Sequence, residues 1–229
     1  MTSNFLGDVH TERHISSIIS ANELVAREGL DLHKGMNFRD KGPQLSVFLV
    51  LEREDGYRDE WNFKTRQYVY QGHDSTTVEE GKSVDQLLMY SDGRLTDNGK
   101  FFKAAHAYKD ELRNEPLQVQ VYEKLDPGVW YDKGIFNLVD AKQVVEGGRK
   151  VCKFHCILAD DDFYSADDPD TIERLLPAAI KAEIWARDKG RCVLCRSEMG
   201  LRFVANESRG AIQIFCEEHS GRKKKGLLG

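Results

Sequence analysis

The apolar positions of this chain change period several times. In "ISSIISANELVAREGL" (15–30) they fall at helical spacing, from Ile15, Ile18 and Ile19 to Leu24 and Val25, and Gly29 supplies a stop. A helix is predicted there. The pattern then shifts towards alternation with β-branched and aromatic residues: "QLSVFLVLE" (44–52), "TRQYVYQG" (65–72), "LQVQVYEKL" (117–125), "VWYDKGIFNLVDAKQVV" (129–145) and "RKVCKFHCIL" (149–158). These read as strands, and "DPG" and "EGG" supply turns between them. A second helix fits "TDNGKFFKAAHAYKDELRN" (96–114), opening on a capping Thr or Asp. The prediction is α+β, a curved sheet or barrel with flanking helices over residues 1–158.

"ADDDFYSADDPD" (159–170) breaks the pattern. Six aspartates and a proline with little apolar content cannot pack a core, so the stretch reads as a self-repelling linker. Beyond it, "TIERLLPAAIKAEIWARDKG" (171–190) returns to helical spacing, with Pro177 able to start a second helix and Gly190 ending it. Two short strands, "LRFVA" and "AIQIFC", and a basic tail complete a small C-terminal module over 171–229.

The formal net charge of −5 is unevenly spread. Residues 171–229 carry 12 Lys and Arg against 7 Asp and Glu, which leaves 21 of the 33 basic and 31 of the 38 acidic residues in 1–170. A basic end on an acidic body suggests that an anionic partner meets the C-terminal third; ordinary solvated charge is the alternative. No apolar run approaches the ~20 residues that span a bilayer, and the polar start "MTSNFLGDVHTERH" lacks the form of a signal peptide. The expectation is a cytoplasmic protein without membrane contact. Disulfides are rare in that compartment, so the five cysteines read as thiols or metal ligands.

Four residues carry the strongest chemical signal. Cys192-x-x-Cys195 and Cys216-x-x-His219 offer two chelating pairs, in all three thiolates and one imidazole. Such tetrahedral sets suit Zn²⁺, and a closed four-ligand site is structural rather than catalytic. An ion there would also hold together a module too small to hold itself.

"IKAEIWARDKGRCVLC", "LRF" and "IQIFCEEHSGRKKKG" together resemble the HNH nuclease family over residues 178–226. The resemblance implies a zinc-stapled ββα-metal module, Mg²⁺ or Mn²⁺ for cleavage, and a last helix along the DNA backbone. Arg222, Lys223, Lys224 and Lys225 would then meet phosphates. The middle departs from the family. Where its general-base histidine follows the first strand, this chain reads Val204-Ala205-Asn206-Glu207-Ser208-Arg209-Gly210, and Ala211 stands where Asn is frequent. A base must activate water for attack on the phosphodiester. Asn206 and Glu207 are poorly matched to that task, and no catalytic residue is assigned.

"EDGYRDEWNFKTRQYVYQGHDS" (54–75), "GRLTDNGKFFKAA" (93–105), "VYEK" (121–124) and "VWYDKGIFNLVDA" (129–141) resemble, in that order, the SRA domains joined to HNH modules in modification-dependent restriction enzymes. The resemblance covers roughly residues 40–160. It implies a PUA-like barrel that flips modified cytosine, 5-methyl or 5-hydroxymethyl, out of duplex DNA. Tyr57 and Tyr70 would stack on the base, Asp59 or Glu60 would face its N4 amino group, and His73 and Asp74 would shape the loop that penetrates the duplex. From the strand pattern alone, one of Tyr68 and Tyr70 is a core residue and "YRDE" a solvated loop.

Two functions follow. One is a modification-dependent DNA endonuclease, a possible homodimer since two strands are cut. The other is a catalytically inactive reader of modified DNA with a zinc-stapled DNA-binding module. A PUA-like binder of RNA or nucleotides also fits the acidic barrel, but not the HNH outline.

Overall fold

The structure, a computed structural model, describes residues 18–30, 32, 35–39, 44–50, 59–62, 65, 67–74, 84–159, 173–174, 176–206 and 211–220. Tyr57, nearly all of the expected acidic linker (160–170) and the basic tail lie outside them.

The chain enters as strand β1 (Ile18–Ser20) and turns into helix α1 (Ala21–Glu28). The helix predicted over 15–30 is thus shorter, because Ile18 and Ile19 pair with Tyr131 and Trp130 as strand. Ser20 marks the switch: its hydroxyl accepts from the Glu23 N–H, an N-cap that satisfies a donor the helix cannot. Gly29, left-handed at φ 61°, ends it as expected.

Seven more strands follow: β2 (Met36–Asn37), β3 (Ser46–Val50), β4 (Glu60–Asn62), β5 (Gln67–Gln71), β6 (Leu117–Asp126), β7 (Val129–Glu146) and β8 (Arg149–Leu158). They form one sheet in the order β2-β3-β6-β7-β8-β5-β4, with β1 on β7. Only β3 and β6 run parallel; the other pairs are antiparallel. In a flat sheet β3 and β5, four steps apart, would lie about 19 Å from each other. Yet Phe48 of β3 stacks on Tyr70 of β5 with ring centroids 4.3 Å apart. The sheet therefore curls back on itself around a core that includes Phe48, Tyr68, Phe136 and Phe154. Breaks in register at Val121/Tyr122 and Leu138/Asp140 mark bulges, which bend strands. The α+β architecture expected from the sequence is present, with a curled sheet whose ends among the described residues are β2 and β4.

Helix α2 (Asp97–Lys109) closes one side of the core with Phe101 and Ala105. Its N-cap Thr96 accepts from the Gly99 N–H at 3.0 Å. Gly99 is required by contact: a Cβ there would lie 1.8 Å from the Leu88 carbonyl oxygen.

The C-terminal part comprises helix α3 (Ala178–Asp188) and an antiparallel hairpin, β9 (Leu201–Asn206) and β10 (Ala211–Cys216). Pro177 precedes the helix, so the long helix predicted over 171–190 starts there. Leu176, Ile184, Leu201, Phe203 and Ile214 form one apolar cluster with Leu125 and Tyr131 of the large sheet. Beside it three charged groups are fully buried. Glu123 of β6 accepts from Lys133 Nζ at 2.5 Å and from Lys181 Nζ at 2.7 Å. Lys181 comes from α3 and also lies 3.6 Å from the centroid of the Tyr131 ring. The C-terminal helix is therefore tied to the sheet by an apolar contact and a buried ion triad. Among the described residues no helix is long and apolar enough to cross a membrane.

Candidate functional site

Cys192, Cys195, Cys216 and His219 come together with their ligand atoms all within 4.8 Å of one another. Cys192 and Cys195 lie on the turn after α3, and Cys216 and His219 lie where β10 ends. The Cys195 and Cys216 sulfurs are 3.6 Å apart, and His219 Nδ1 lies 3.6 Å from Cys192 Sγ and 3.2 Å from Cys216 Sγ. Tetrahedral zinc with its usual bond lengths separates sulfurs by about 3.8 Å and sulfur from nitrogen by about 3.6 Å. Three of the six edges are thus within about 0.4 Å of those of a zinc tetrahedron, and the Cys195 and Cys216 sulfurs are too far apart for a disulfide, which needs about 2.05 Å. The donors fit zinc: three thiolates and one imidazole can hold it as a structural ion.

The backbone prepares that geometry. Lys189 and Gly190 are left-handed (φ 59° and 60°) and turn the chain out of α3. The Arg196 N–H donates to the Cys192 carbonyl at 2.9 Å, closing the first chelating turn, and the His219 N–H donates to the Cys216 carbonyl at 3.0 Å, closing the second. Burial raises the Cys192 thiol, but N–H groups of Cys195, Cys216 and Leu194 outweigh it and bring the group down to about 6. That favours the thiolate a metal needs.

At the other candidate site, the expected residues part company. Side chains directly opposite one another on paired strands share a face of the sheet, and neighbours along a strand alternate. Glu60 pairs with Val69, and Lys153 pairs with Gln71. All four therefore face away from Tyr68 and Tyr70, and Glu60 Oε1 lies 4.0 Å from Lys153 Nζ on that outer face. Asp59 turns the other way. Its Oδ1 accepts from the Gln71 N–H at 2.8 Å and its Oδ2 from the Tyr68 hydroxyl at 3.1 Å. Burial raises this carboxyl from the ordinary 3.8 to about 6, against the lowering effect of those two donors. Of the two carboxylates, Asp59 shares a side with Tyr70.

Tyr70 itself is 3 % exposed. Phe48 covers one ring face at 2° interplanar angle, and the centroid of the His73 ring lies 6.3 Å from that of Tyr70. Its hydroxyl meets His73 Nε2 at 3.0 Å and donates to the Leu49 carbonyl at 3.3 Å. This is the core position that the strand alternation left open. His73 and Tyr70 are brought together as expected. Asp74 instead turns to Arg149, which bonds it and the Val84 carbonyl, and to Gln86, whose amide donates to Asp74 Oδ1 at 2.8 Å.

Three residues that sequence reasoning passed over build this end of the sheet. Asn98 grips His73 by both backbone groups, accepting its N–H at 3.0 Å and donating to its carbonyl at 2.8 Å. Gln86 donates to the Gly72 carbonyl at 2.6 Å and accepts the Cys152 N–H at 2.7 Å. Arg149 ties Asp74 to Val84. The phrase "GRLTDNGKFF" held the signal: Thr96 caps, Asn98 grips and Gly99 permits close approach.

In the C-terminal hairpin β9 and β10 stay paired from Leu201↔Cys216 to Asn206↔Ala211, so the whole connection is residues 207–210. No histidine occurs between Cys195 and His219. The hairpin has no imidazole to serve as the general base of an HNH site.

No family model matches the chain, and no curated protein matches it. Among solved structures, the SUVH5 SRA domain in complex with fully methylated CG DNA aligns at a TM-score of 0.41 and 15% identity, over 62% of this chain and 85% of that one. The same SRA domain bound to fully hydroxymethylated CG DNA gives 0.43 and 16%, over 62% and 85%. The DNA modification-dependent restriction endonuclease AspBHI gives 0.41 and 16%, over 69% and 71%.

Proposed function

We propose that this chain reads modified cytosine in duplex DNA, and that its C-terminal part is a zinc-stapled DNA-binding module without nuclease chemistry. The observation that carries the reading is Asp59. A carboxylate held from one side by the Gln71 N–H and the Tyr68 hydroxyl keeps a lone pair on each oxygen for a further donor. The N4 amino group of an extruded cytosine is such a donor. Tyr57, two residues before Asp59, supplies the stacking ring. Tyr70, backed by Phe48 and touching His73, forms the inner wall. Glu60 and Lys153 lie on the outer face, away from the base, where Lys153 is buried against Glu146 and Gln71. The tail Arg222–Lys225 adds phosphate contacts that position without reading sequence.

Zinc on Cys192, Cys195, Cys216 and His219 supplies a structural cross-link between α3 and the β10 end. The nuclease reading retains one supporting observation, the succession of helix, knuckle, hairpin and Cys-x-x-His in the order the HNH outline requires. The absence of histidine from the hairpin weighs against it.

Two measurements test the proposal. Fluorescence anisotropy with duplexes that differ only in one 5-methylcytosine should show tighter binding of the modified one, and Asp59→Ala should abolish the difference. Equal binding by the wild type sinks the reading. Incubating modified plasmid with Mg²⁺ or Mn²⁺ should leave it intact; linear product would restore the nuclease.

A further inference from the structure

One buried polar chain connects the Asp59 carboxylate with the C-terminal part of the protein. The Tyr68 hydroxyl donates to Asp59 Oδ2 at 3.1 Å, and Lys133 Nζ stands over the Tyr68 ring, 6.0 Å from its centroid. The same ammonium donates to Glu123 Oε1 at 2.5 Å and to the Leu176 carbonyl at 3.3 Å. Tyr68, Lys133 and Glu123 are all at 0% exposure, so water does not screen them from one another. Burial raises the Asp59 carboxyl and the Tyr68 phenol, and the charge of Glu123 adds to both. Lys133 touches Glu123 and faces Tyr68. Its charge therefore offsets that of Glu123 on the Asp59 side, and a cation over the ring makes the phenol a better donor. Burial drives the Lys133 ammonium well down, and Glu123 is the group that works against this.

We propose that Lys133 is a positioning residue of the base site: held by Glu123 and by the Leu176 carbonyl, it keeps Asp59 an anionic acceptor for the amino group of an extruded cytosine, and so makes base discrimination depend on the docked C-terminal part. The inference rests on the reading of Asp59 as the base-reading group and assigns what sets its charge. An ionised carboxylate only accepts, whereas a protonated one carries an O–H that opposes the N4 donor. The other groups facing Asp59 do not fill this role. The Gln71 N–H is a neutral donor, and Cys156, opposite Tyr68 on β8, is a thiol that burial pushes up. Lys153 lowers Asp59, but it belongs to the outer face, where Glu146 and Gln71 hold it.

The test uses the full-length, zinc-loaded chain with Lys133→Met, which leaves Glu123 paired with Lys181 Nζ at 2.7 Å. Lys133→Gln, which retains donors for Glu123 and the Leu176 carbonyl without the charge, takes its place if the Met variant does not melt cooperatively. Anisotropy on modified and unmodified duplexes is followed from pH 5.5 to 8. At pH 7 the ratio of the two affinities should fall at least about fivefold, roughly 1 kcal/mol. The pH at which that preference is half lost should rise by about half a unit or more. A second readout needs no DNA. The stability gap between Asp59→Asn and its parent widens with pH until Asp59 is ionised, and in the Lys133 variant it should go on widening to higher pH. An unchanged ratio in a cooperatively folded variant overturns the proposal. So does a fallen ratio with both pH readouts unmoved, which would make Lys133 merely structural. Wild type that binds both duplexes alike refutes cytosine reading; the stability gap then decides the coupling, and an unmoved gap overturns that as well.

Discussion

Glu123→Gln should be among the most damaging single substitutions in the chain, far worse than loss of either lysine that it binds. Glu123, Lys133 and Lys181 have side chains at 0% exposure. One carboxylate thus faces two ammonium groups that lie within roughly 7 Å of each other, a repulsion of about 2 kcal/mol at an effective dielectric constant near 20. Burial opposes charge on all three groups. The lysines nonetheless hold Glu123 below its ordinary value, while burial drives Lys133 well below its own and Lys181 down as well. A neutral amide at this position would leave two buried cations with Glu173 as the remaining counter-charge to Lys181, and breaking such a pair costs about 3–5 kcal/mol. Lys181→Met removes the surplus cation and keeps the Glu123–Lys133 pair. It loses the contact with Tyr131, worth about 2 kcal/mol when desolvated, and gains an apolar side chain in an apolar site. Its cost should be less than half that of Glu123→Gln. Urea unfolding followed by tryptophan fluorescence, with Trp130 and Trp185 near the contact, reads the difference as a shift in midpoint. Equal losses in the two variants, or a Glu123→Gln protein within about 1 kcal/mol of wild type, would refute the account of a charge-starved triad.

One zinc per chain should be found by metal analysis, and a chelator should unfold the C-terminal part while the large sheet keeps its far-UV signal; a chain free of zinc refutes the site. Asp59 titrates near 6 in the folded protein and near 3.8 when unfolded. The folded state therefore binds more protons between those values, and stability falls as pH rises through that window. Asp59→Asn can keep the Gln71 N–H bond on Oδ1 and, with the direction reversed, donate its Nδ2 to the Tyr68 hydroxyl oxygen; it removes the titration, so its stability relative to wild type should rise by up to about 3 kcal/mol between pH 4 and 7. A pH-independent difference between the two proteins would remove Asp59 from its buried position. Asn98→Ala removes both hydrogen bonds that Asn98 makes to the His73 backbone and should cost about 2 kcal/mol. Modified-DNA affinity should drop with it in anisotropy; unchanged affinity would separate this loop from recognition.

The local pattern of apolar residues already carried most of the element list. Alternation placed β3, β5, β6, β7 and β8 within about two residues, since a strand with one face in a core has little freedom of register. Gly29, Thr96 and Pro177 marked helix ends because their backbone chemistry acts within one turn. The metal set was legible for the same reason: two chelating pairs, each closed by a local turn, need only one hairpin to meet. Relations between distant strands were decided by the tertiary structure alone. The motif order put Tyr70 and Glu60 in one pocket, but strand pairing sets them on opposite faces and leaves Asp59 on the Tyr70 side. Ile18 and Ile19 have helical spacing, yet an open edge on β7 gives them strand partners. Nothing in the string announces that Lys181 reaches Glu123 across 58 residues. A buried charge is tolerated only where a counter-charge stands beside it, and the position of that partner exists only in the folded chain.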